Sequence, residues 1–282
     1  VALKVGKSRL AENATVSHTA SMAGNYQGAI ALLNKLGIST VDGLESLLNT
    51  LMILHVHQPI SGNKIASLSC SGGEASLIAD LAEQFNFRFP KLSSKQKRKL
   101  KSALGDLVHL SNPLDYQTYV WNDQVKLTVA FKTMMEETYD FLFIIMDLPK
   151  QGRCSSDSWH PAIAALKEAK KIAKCPVGLI TSLEENMPEK FAKDLIKHSI
   201  IPLTGLENSL AAVKALQNVS IQWKIKSTPS IIWERWPNEK SRVLDEYQSK
   251  KVLSKIGINV PKGFVITDKN SLLNKFRTIK KA

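Results

Sequence analysis

The sequence predicts an α/β protein built from two consecutive doubly wound domains with parallel sheets. Short apolar runs of strand length alternate along the chain with amphipathic segments of helical length. Strands connected in this way pair in parallel through right-handed crossovers. The chain has 282 residues, which suggests two domains, and its 44% hydrophobic and 22% charged residues are typical of a globular protein.

The first predicted domain covers residues 1–60 and is expected to be incomplete. Its predicted elements are a strand at 1–5, a helix with apolar residues on one face from 29 to 36, a short strand at 37–41 and a helix at 42–57. Residues 58–63 read Gln-Pro-Ile-Ser-Gly-Asn, a linker-like composition that marks the end of this domain.

The second predicted domain covers residues 61–218. Its predicted strands are 64–70, 107–110, 141–147, 176–181 and 200–203, and its clearest helices are 74–85, 159–173 and 188–198. Residues 219–241 contain two prolines and three tryptophans, and we interpret them as a connector that packs across a domain surface. Residues 242–282 form a basic third region, with ten Lys or Arg against three acids.

Composition excludes several classes of protein. The net charge is +13, but no aromatic residues interleave with the clustered lysines, so we expect solvated faces and no nucleic-acid partner. No apolar run approaches the roughly 20 residues of a membrane span, and no signal peptide is recognisable. Three scattered cysteines form no CxxC pair, which favours a reducing cytoplasm and no metal site. Because the chain opens on a strand without Met, we expect an internal fragment.

His18 is the candidate catalytic residue. It lies in the segment Ser-His-Thr-Ala-Ser-Met-Ala-Gly, positions 17–24, just ahead of a predicted helix. Backbone N–H groups and the helix dipole favour an anion at such an end, so the imidazole could carry a phosphate there. The same residues could equally be a helix-capping cluster that contains a histidine. Spacing alone leaves both interpretations open.

Ser71, Gly72 and Gly73 form a second candidate anion site. They follow a predicted strand and open a predicted helix, and glycine lets a backbone approach an anion closely. The turn lacks both the GxGxxG spacing and the GK[ST] ending of nucleotide-binding loops, so an ordinary strand-to-helix turn is the alternative. Two anion-ready helix ends in consecutive domains could face each other across one phosphate.

Asn112, Asp115 and Tyr116 are candidates for a substrate pocket. Pro113 forces Asn112 out of helical geometry, and the segment follows the apolar residues 107–110, so we place it at a strand end level with the glycine turn. The alternatives are that the Asn and Asp side chains tie down a turn and that Tyr116 covers the core.

Five segments in this order resemble the NDP-forming acyl-CoA synthetases, also called the acetate–CoA ligase (ADP-forming) family, relatives of succinyl-CoA synthetase. They are Val-Gly-Lys-Ser at 5–8, the histidine segment at 17–24, Ser-Gly-Gly-Glu at 71–74, Asn-Pro-Leu-Asp at 112–115, and Leu-Asp-Glu-Tyr-Gln-Ser-Lys at 244–250 with Gly-Ile-Asn-Val-Pro at 257–261. The resemblance implies two flavodoxin-like domains, the first incomplete, and makes the last segment the start of an ATP-grasp domain.

The resemblance also implies roles and ligands. His18 takes the position of the family's phosphohistidine. The residues placed around the phosphate are Ser17, Thr19, Ser21, Gly24, Ser71, Gly72, Gly73 and Glu74. The full-length protein would use CoA, ATP or ADP and Mg²⁺ to activate a small carboxylic acid, with the missing domains as partners and a homodimer left open. No metal site is expected in this chain.

The chain departs from the family pattern at both ends. The amino-terminal CoA-binding domain and the loop whose carboxylate orients the histidine are absent, and the ATP-grasp segment stops at Ala282. We therefore expect a piece of a longer polypeptide that binds no cofactor completely. The alternatives are a non-catalytic synthetase-like module, as in protein acetyltransferases, which His18 argues against, and a simple anion-binding flavodoxin-like protein.

Overall fold

The computed structural model describes residues 1–11, 13–14, 25–150, 152–224, 243–261, 263–266 and 268. The chain divides into two compact units, Val1–Pro229 and Ser230–Ala282. The predicted site residues Ser17, His18, Thr19, Ser21 and Gly24 lie outside the described residues.

The first unit contains two parallel sheets. The small one pairs β1 (Ala2–Leu3) with β2 (Thr40–Val41). The large one has five strands: β3 (Ile65–Ser69), β4 (Leu114–Asp115), β5 (Phe141–Ile145), β6 (Val177–Thr181) and β7 (Ile201–Thr204). Their spatial order is β4-β3-β5-β6-β7, and every pairing is parallel. This is the flavodoxin-like order, so the predicted fold class is confirmed.

Eight helices are assigned in the described part of this unit. They are α1 (Tyr26–Lys35), α2 (Leu44–Val56), α3 (Gly72–Gln84), α4 (Ser94–Leu104), α5 (Gln124–Met135), α6 (His160–Lys170), α7 (Glu189–Lys197) and α8 (Leu206–Trp223). Short 3₁₀ turns at Asp157–Trp159 and Glu184–Asn186 follow β5 and β6. Among the described residues, no helix is long and apolar enough to cross a membrane.

Both faces of the large sheet are covered by helices. Alternate residues of β5 point to opposite faces, because side chains alternate along a strand. Leu142 and Ile144 join a core that includes residues of α4, α5, α6 and α7. Phe141, Phe143 and Ile145 join a second core with residues of α2, α3 and α8. Every residue of β5 is therefore buried, as expected for the interior of a parallel sheet.

The predicted boundary at residue 60 does not separate two bodies. Helix α2 packs on α8 and β7, and Ile53 and Ile60 lie in the same core as Ile65 of β3. Asn49 fixes this packing, because its side-chain amide donates to the Thr204 carbonyl at 2.8 Å and accepts from the Thr204 N–H at 3.3 Å. Residues on both sides of position 60 thus belong to one compact unit.

Two other sequence predictions need correction. The apolar residues 107–110 form a loop, because Gly105 ends α4 at φ 85° and Leu107 is exposed; the strand follows later, at β4. The connector predicted from residue 219 starts inside α8, since Val219 and Ser220 continue its buried face to Trp223. Residues 225–242 lie outside the described residues.

The second unit is described over residues 243–261, 263–266 and 268 and contains α9 (Glu246–Lys255). Asp245 caps the helix by accepting the Gln248 N–H at 2.7 Å. Lys251 Nζ lies 4.6 Å from the centre of the Tyr247 ring. A single helix fits the start of an ATP-grasp domain and many other folds, so that assignment stays a prediction.

Candidate functional site

The site lies at the carboxyl edge of the large sheet, where the strand order reverses. From β3 the chain crosses to β4 on one side, and it returns to β5 on the other side. The crevice between the ends of β3 and β5 is the usual ligand site of such sheets. The turn at Ser71 leaves the end of β3, and Met146 and Asp147 follow β5, so both border this crevice.

The turn after β3 leads directly into α3 and exposes its amino end. Ser71 caps the helix, with its Oγ accepting the Glu74 N–H at 3.4 Å, while Ser69 Oγ donates to the Ser71 carbonyl at 2.9 Å. Gly72 and Gly73 are exposed and occupy the first two helical positions, where N–H groups have no intrahelical acceptor. These two N–H groups can bind an anion.

Three carboxylates surround the same turn. Asp115 is the last residue of β4, and its Oδ2 lies 3.3 Å from where a β-carbon on Gly72 would stand. Asp147 is fixed at the end of β5, because its Oδ1 accepts the Ser182 N–H at 2.6 Å. Glu74 is half-buried on the first turn of α3, and its Oε2 is buried with no hydrogen-bond partner in the described structure.

Glu74 is the most perturbed acid of this group. Burial, followed by the negative charges of Asp147 and Asp115, raises the pKa of its carboxyl to about 7. Near neutral pH a substantial fraction of Glu74 is therefore protonated. Protonation removes one of the negative charges that would otherwise repel a phosphate at Gly72 and Gly73.

The surroundings of Cys70 disfavour its thiolate form. Burial, followed by the negative charge of Glu74, raises the pKa of the Cys70 thiol to about 11. At neutral pH the thiol stays protonated, and the thiolate is the reactive form. The side chain contributes an apolar surface to the crevice.

A cleft of about 460 Å³ opens beside the turn. Its lining residues are Cys70, Glu74, Thr118, Trp121, Asn122, Met146, Asp147 and Trp159. The two indole rings meet edge to face, with centres 5.9 Å apart and planes at 89°. The cleft therefore combines two carboxylates with an aromatic and thioether wall.

The predicted pocket residues have other contacts. The Asn112 amide donates to the carbonyls of Ile65 and Pro90, each at 3.1 Å, and accepts the Ser67 N–H at 3.3 Å. It thus fastens the backbone of β3 and of Pro90 over long range, which differs from the local turn contact that the sequence offered as the alternative. Asp115 Oδ1 accepts the Gln117 N–H at 2.9 Å, a local turn contact.

Tyr116 is fully buried and does not line the cleft. Its ring packs edge to face against Phe131, with centres 5.3 Å apart. Its hydroxyl has no hydrogen-bond partner in the described structure. Burial, with smaller contributions from the charges of Cys70, Glu74 and Asp115, raises the pKa of the phenol well above its usual value. Tyr116 is a core residue beneath the carboxylates.

The sequence missed Asp147 and Trp159 as members of the site and favoured core packing for Trp121. Asp147 carried a usable signal, because it is the first acid after an apolar strand whose carboxyl end faces the crevice. Trp121 was a possible pocket wall because it closely follows Asp115, whereas only the fold brings Trp159 beside it. No group of three or more His, Cys, Asp or Glu side chains among the described residues has the arrangement of a metal site.

The strand order and the turn at its switch point define a flavodoxin-like domain. A family model described as the succinyl-CoA ligase like flavodoxin domain matches residues 1–54. The ADP-forming acetate–CoA ligase of Methanocaldococcus jannaschii is 24% identical over 97% of this chain and 40% of its own length. A trans-feruloyl-CoA synthase from an unknown prokaryotic organism is 24% identical over 93% of this chain and 37% of its own length.

A solved structure agrees with these matches on the fold. The dinucleotide-forming acetyl-coenzyme A synthetase 1 of Ca. Korarchaeum cryptofilum, in complex with phosphate and ADP, superposes with a TM-score of 0.61 at 18% identity. The superposition covers 78% of this chain and 46% of that one. The chain is thus similar to an ADP-forming acetate–CoA ligase over most of its length, in line with the resemblance of its motifs, and it spans less than half of the length of these relatives.

Proposed function

We propose that the chain is part of an NDP-forming acyl-CoA synthetase, an acid–thiol ligase that interconverts a carboxylate, CoA and ATP with acyl-CoA, ADP and phosphate. The observation that carries the proposal is the exposed amino end of α3 at the switch point of a flavodoxin-like sheet. Relatives that match nearly the whole chain are named as ligases of this kind, which supports the same conclusion.

His18 is the proposed phosphoryl carrier. A carboxylate is a poor acyl donor, and conversion to an acyl phosphate supplies a leaving group that the CoA thiol can displace. ATP supplies the phosphoryl group to a ring nitrogen of His18, and the carboxylate oxygen then takes it, which restores the neutral imidazole. A neutral imidazole is a suitable nucleophile at pH 7.

Gly72 and Gly73 are the proposed phosphate-binding groups of the second domain. Phosphoryl transfer depends mainly on positioning and on stabilising negative charge. The amino end of α3 carries the positive end of the helix dipole, and its two free N–H groups can donate hydrogen bonds to the transferred phosphoryl group. Ser71 fixes that end by capping the helix, and protonation of Glu74 lowers the negative charge beside it.

CoA, ATP or ADP and Mg²⁺ are the proposed cofactors of the full-length protein, and a small carboxylic acid is the proposed substrate. A cytoplasmic location fits the three free cysteines. A second copy of the chain and the missing domains of the polypeptide are proposed partners. The residues that would hold nucleotide and Mg²⁺ are not among those we assign to the crevice.

The test is phosphorylation of the full-length protein with γ-labelled ATP and Mg²⁺. We expect an acid-labile, base-stable label that is lost in His18→Ala and retained in the control His55→Ala, whose side chain is exposed on α2. Gly72→Val should reduce the label on His18 by crowding the helix end against Asp115. A full-length wild-type protein that takes up no label would refute the proposal.

A further inference from the structure

The 460 Å³ cleft beside the turn carries negative charge in an otherwise basic chain. Lys and Arg exceed Asp and Glu by 13 in the sequence, and most of the ion pairs in the described structure use lysine. Within the described residues, however, neither Glu74 nor Asp115 nor Asp147 has a salt bridge, and no Lys, Arg or His lines the cleft. In the part of the chain that the structure describes, these carboxylates therefore have no neutralising cation.

The cleft also offers surfaces that suit an organic cation. Trp121 and Trp159 stand at right angles to each other along its wall, and a cation above an indole face is attracted by the ring quadrupole. Met146 and Cys70 add polarisable, uncharged surface. Thr118 and Asn122 supply the remaining polar atoms.

Within the described structure, one buried polar atom of the cleft lining is left without a partner. Glu74 Oε2 is buried and accepts no hydrogen bond. Buried polar atoms are rarely left unpaired in a complete site. A positive group drawn to Glu74 would neutralise the charge that now makes its ionisation costly.

We propose that this cleft binds the positively charged end of an organic cation, an ammonium or quaternary ammonium group held by Glu74 and Asp147 against Trp121 and Trp159. Resting on the proposed function, the substrate is then a carboxylic acid that bears such a group. Its cationic end occupies the cleft, and its carboxylate reaches toward Gly72 and Gly73. An acid of the same shape whose far end is uncharged would fit the cleft, but it would lack the electrostatic attraction to the negative lining.

The binding test compares choline with 3,3-dimethylbutan-1-ol, which has the same shape and no charge. Binding to the protein is measured by calorimetry and by saturation transfer from protein to ligand methyl protons. We expect choline to bind at least about tenfold more tightly than its neutral counterpart, the ratio that roughly 1.4 kcal/mol represents. Equal affinities, or tighter binding of the alcohol, would overturn the proposal.

Two variants locate the site. Glu74→Gln and Asp147→Asn each remove one charge, and the asparagine still accepts the Ser182 N–H that Asp147 holds. Each should reduce the preference for choline several-fold. Asp106→Asn removes the same charge from an exposed position after α4 and should leave the preference unchanged. Equal losses in all three variants would show that choline responds only to overall charge.

The link to the reaction is tested with the full-length protein. Trimethylammonioacetate and 3,3-dimethylbutanoate differ only in charge, and thioester formation with CoA gives kcat/KM for each. We expect the cationic acid to be favoured and Asp147→Asn to reduce the ratio. If choline binds and His18 is not phosphorylated, the cation-binding proposal stands and the proposed ligase function is refuted. If His18 is phosphorylated and choline does not bind, the ligase function stands and the cation-binding proposal is refuted.

Discussion

Glu74 makes the stability of the protein depend on pH in a defined direction. Its pKa is about 7 in the folded chain and about 4.5 for an ordinary glutamate, because the folded structure buries it beside Asp147 and Asp115. Between these two values the folded state holds a proton that the unfolded chain has released. The contribution of protonated Glu74 is thus complete below pH 4.5 and is lost as the pH rises through 7.

The size of the loss follows from the pKa difference and the exposure. A difference of this size corresponds to at most about 3 kcal/mol, and since the side chain is only half-buried, solvent screening lowers it to roughly 1–2 kcal/mol. The helix dipole opposes the loss by up to about 1 kcal/mol, because an ionised glutamate is favourable in the first turn of α3. The net destabilisation at pH 8 is about 1 kcal/mol.

Glu74→Gln tests this reasoning, because glutamine keeps the shape and cannot ionise. In urea titrations of the variant and the wild type, we expect the free energy of unfolding to be similar at pH 5. At pH 8 the variant should be more stable by about 1 kcal/mol. Glu83→Gln, an exposed position on the same helix, should show no such pH-dependent difference. A wild-type-to-variant difference that is the same at both pH values would refute the assigned environment of Glu74.

Three further substitutions test the packing around the site, each by urea titration. Gly178→Ala should lower the free energy of unfolding by about 1–3 kcal/mol, because a β-carbon there would lie 2.8 Å from the Phe141 ring and 2.9 Å from Leu203. The control Gly28→Ala lies on an exposed helix and should instead raise the free energy of unfolding by up to about 1 kcal/mol. Asn112→Ala should cost about 2–3 kcal/mol, since it frees three backbone groups, and no loss would show that water replaces the amide. Asn49→Ala should lower the free energy of unfolding by a similar amount and should speed amide hydrogen exchange more in α2 than in the large sheet. Unchanged exchange in α2 would show that Asn49 does not hold this helix to β7.

The sequence predicted the large sheet well, because buried parallel strands are short, apolar and bounded by turn residues. Residues 141–147 and 176–181 differ from β5 and β6 only at their ends. The error at 107–110 has a physical origin: four residues with three apolar side chains resemble a strand, yet only Val108 is buried. Whether such a segment forms a strand depends on its pairing with a neighbouring strand and not on its hydrophobicity alone.

The position of the site was predicted from the sequence, but the negative charge of its wall was not. Ser71, Gly72 and Gly73 have the expected position at a strand end, because a glycine turn before an amphipathic helix is a local signal. Their approach to Asp115 and Asp147 is not local, since it depends on which strands are neighbours in the sheet. Sequence spacing therefore indicated a site for anions and could not indicate the acidic wall beside it. The role of His18 stays a prediction.

Because α2 packs on α8, the compact unit of the structure extends well beyond the segment that the family model matches. The family model ends at residue 54, inside α2, while Asn49 joins that helix to β7 of the large sheet in the same compact unit. A chimaera that exchanged residues 1–60 for the same region of a relative would therefore have to match the surface of α8 as well as the chain at the junction. Exchange upstream of Leu44 would leave the contact of this helix with α8 intact.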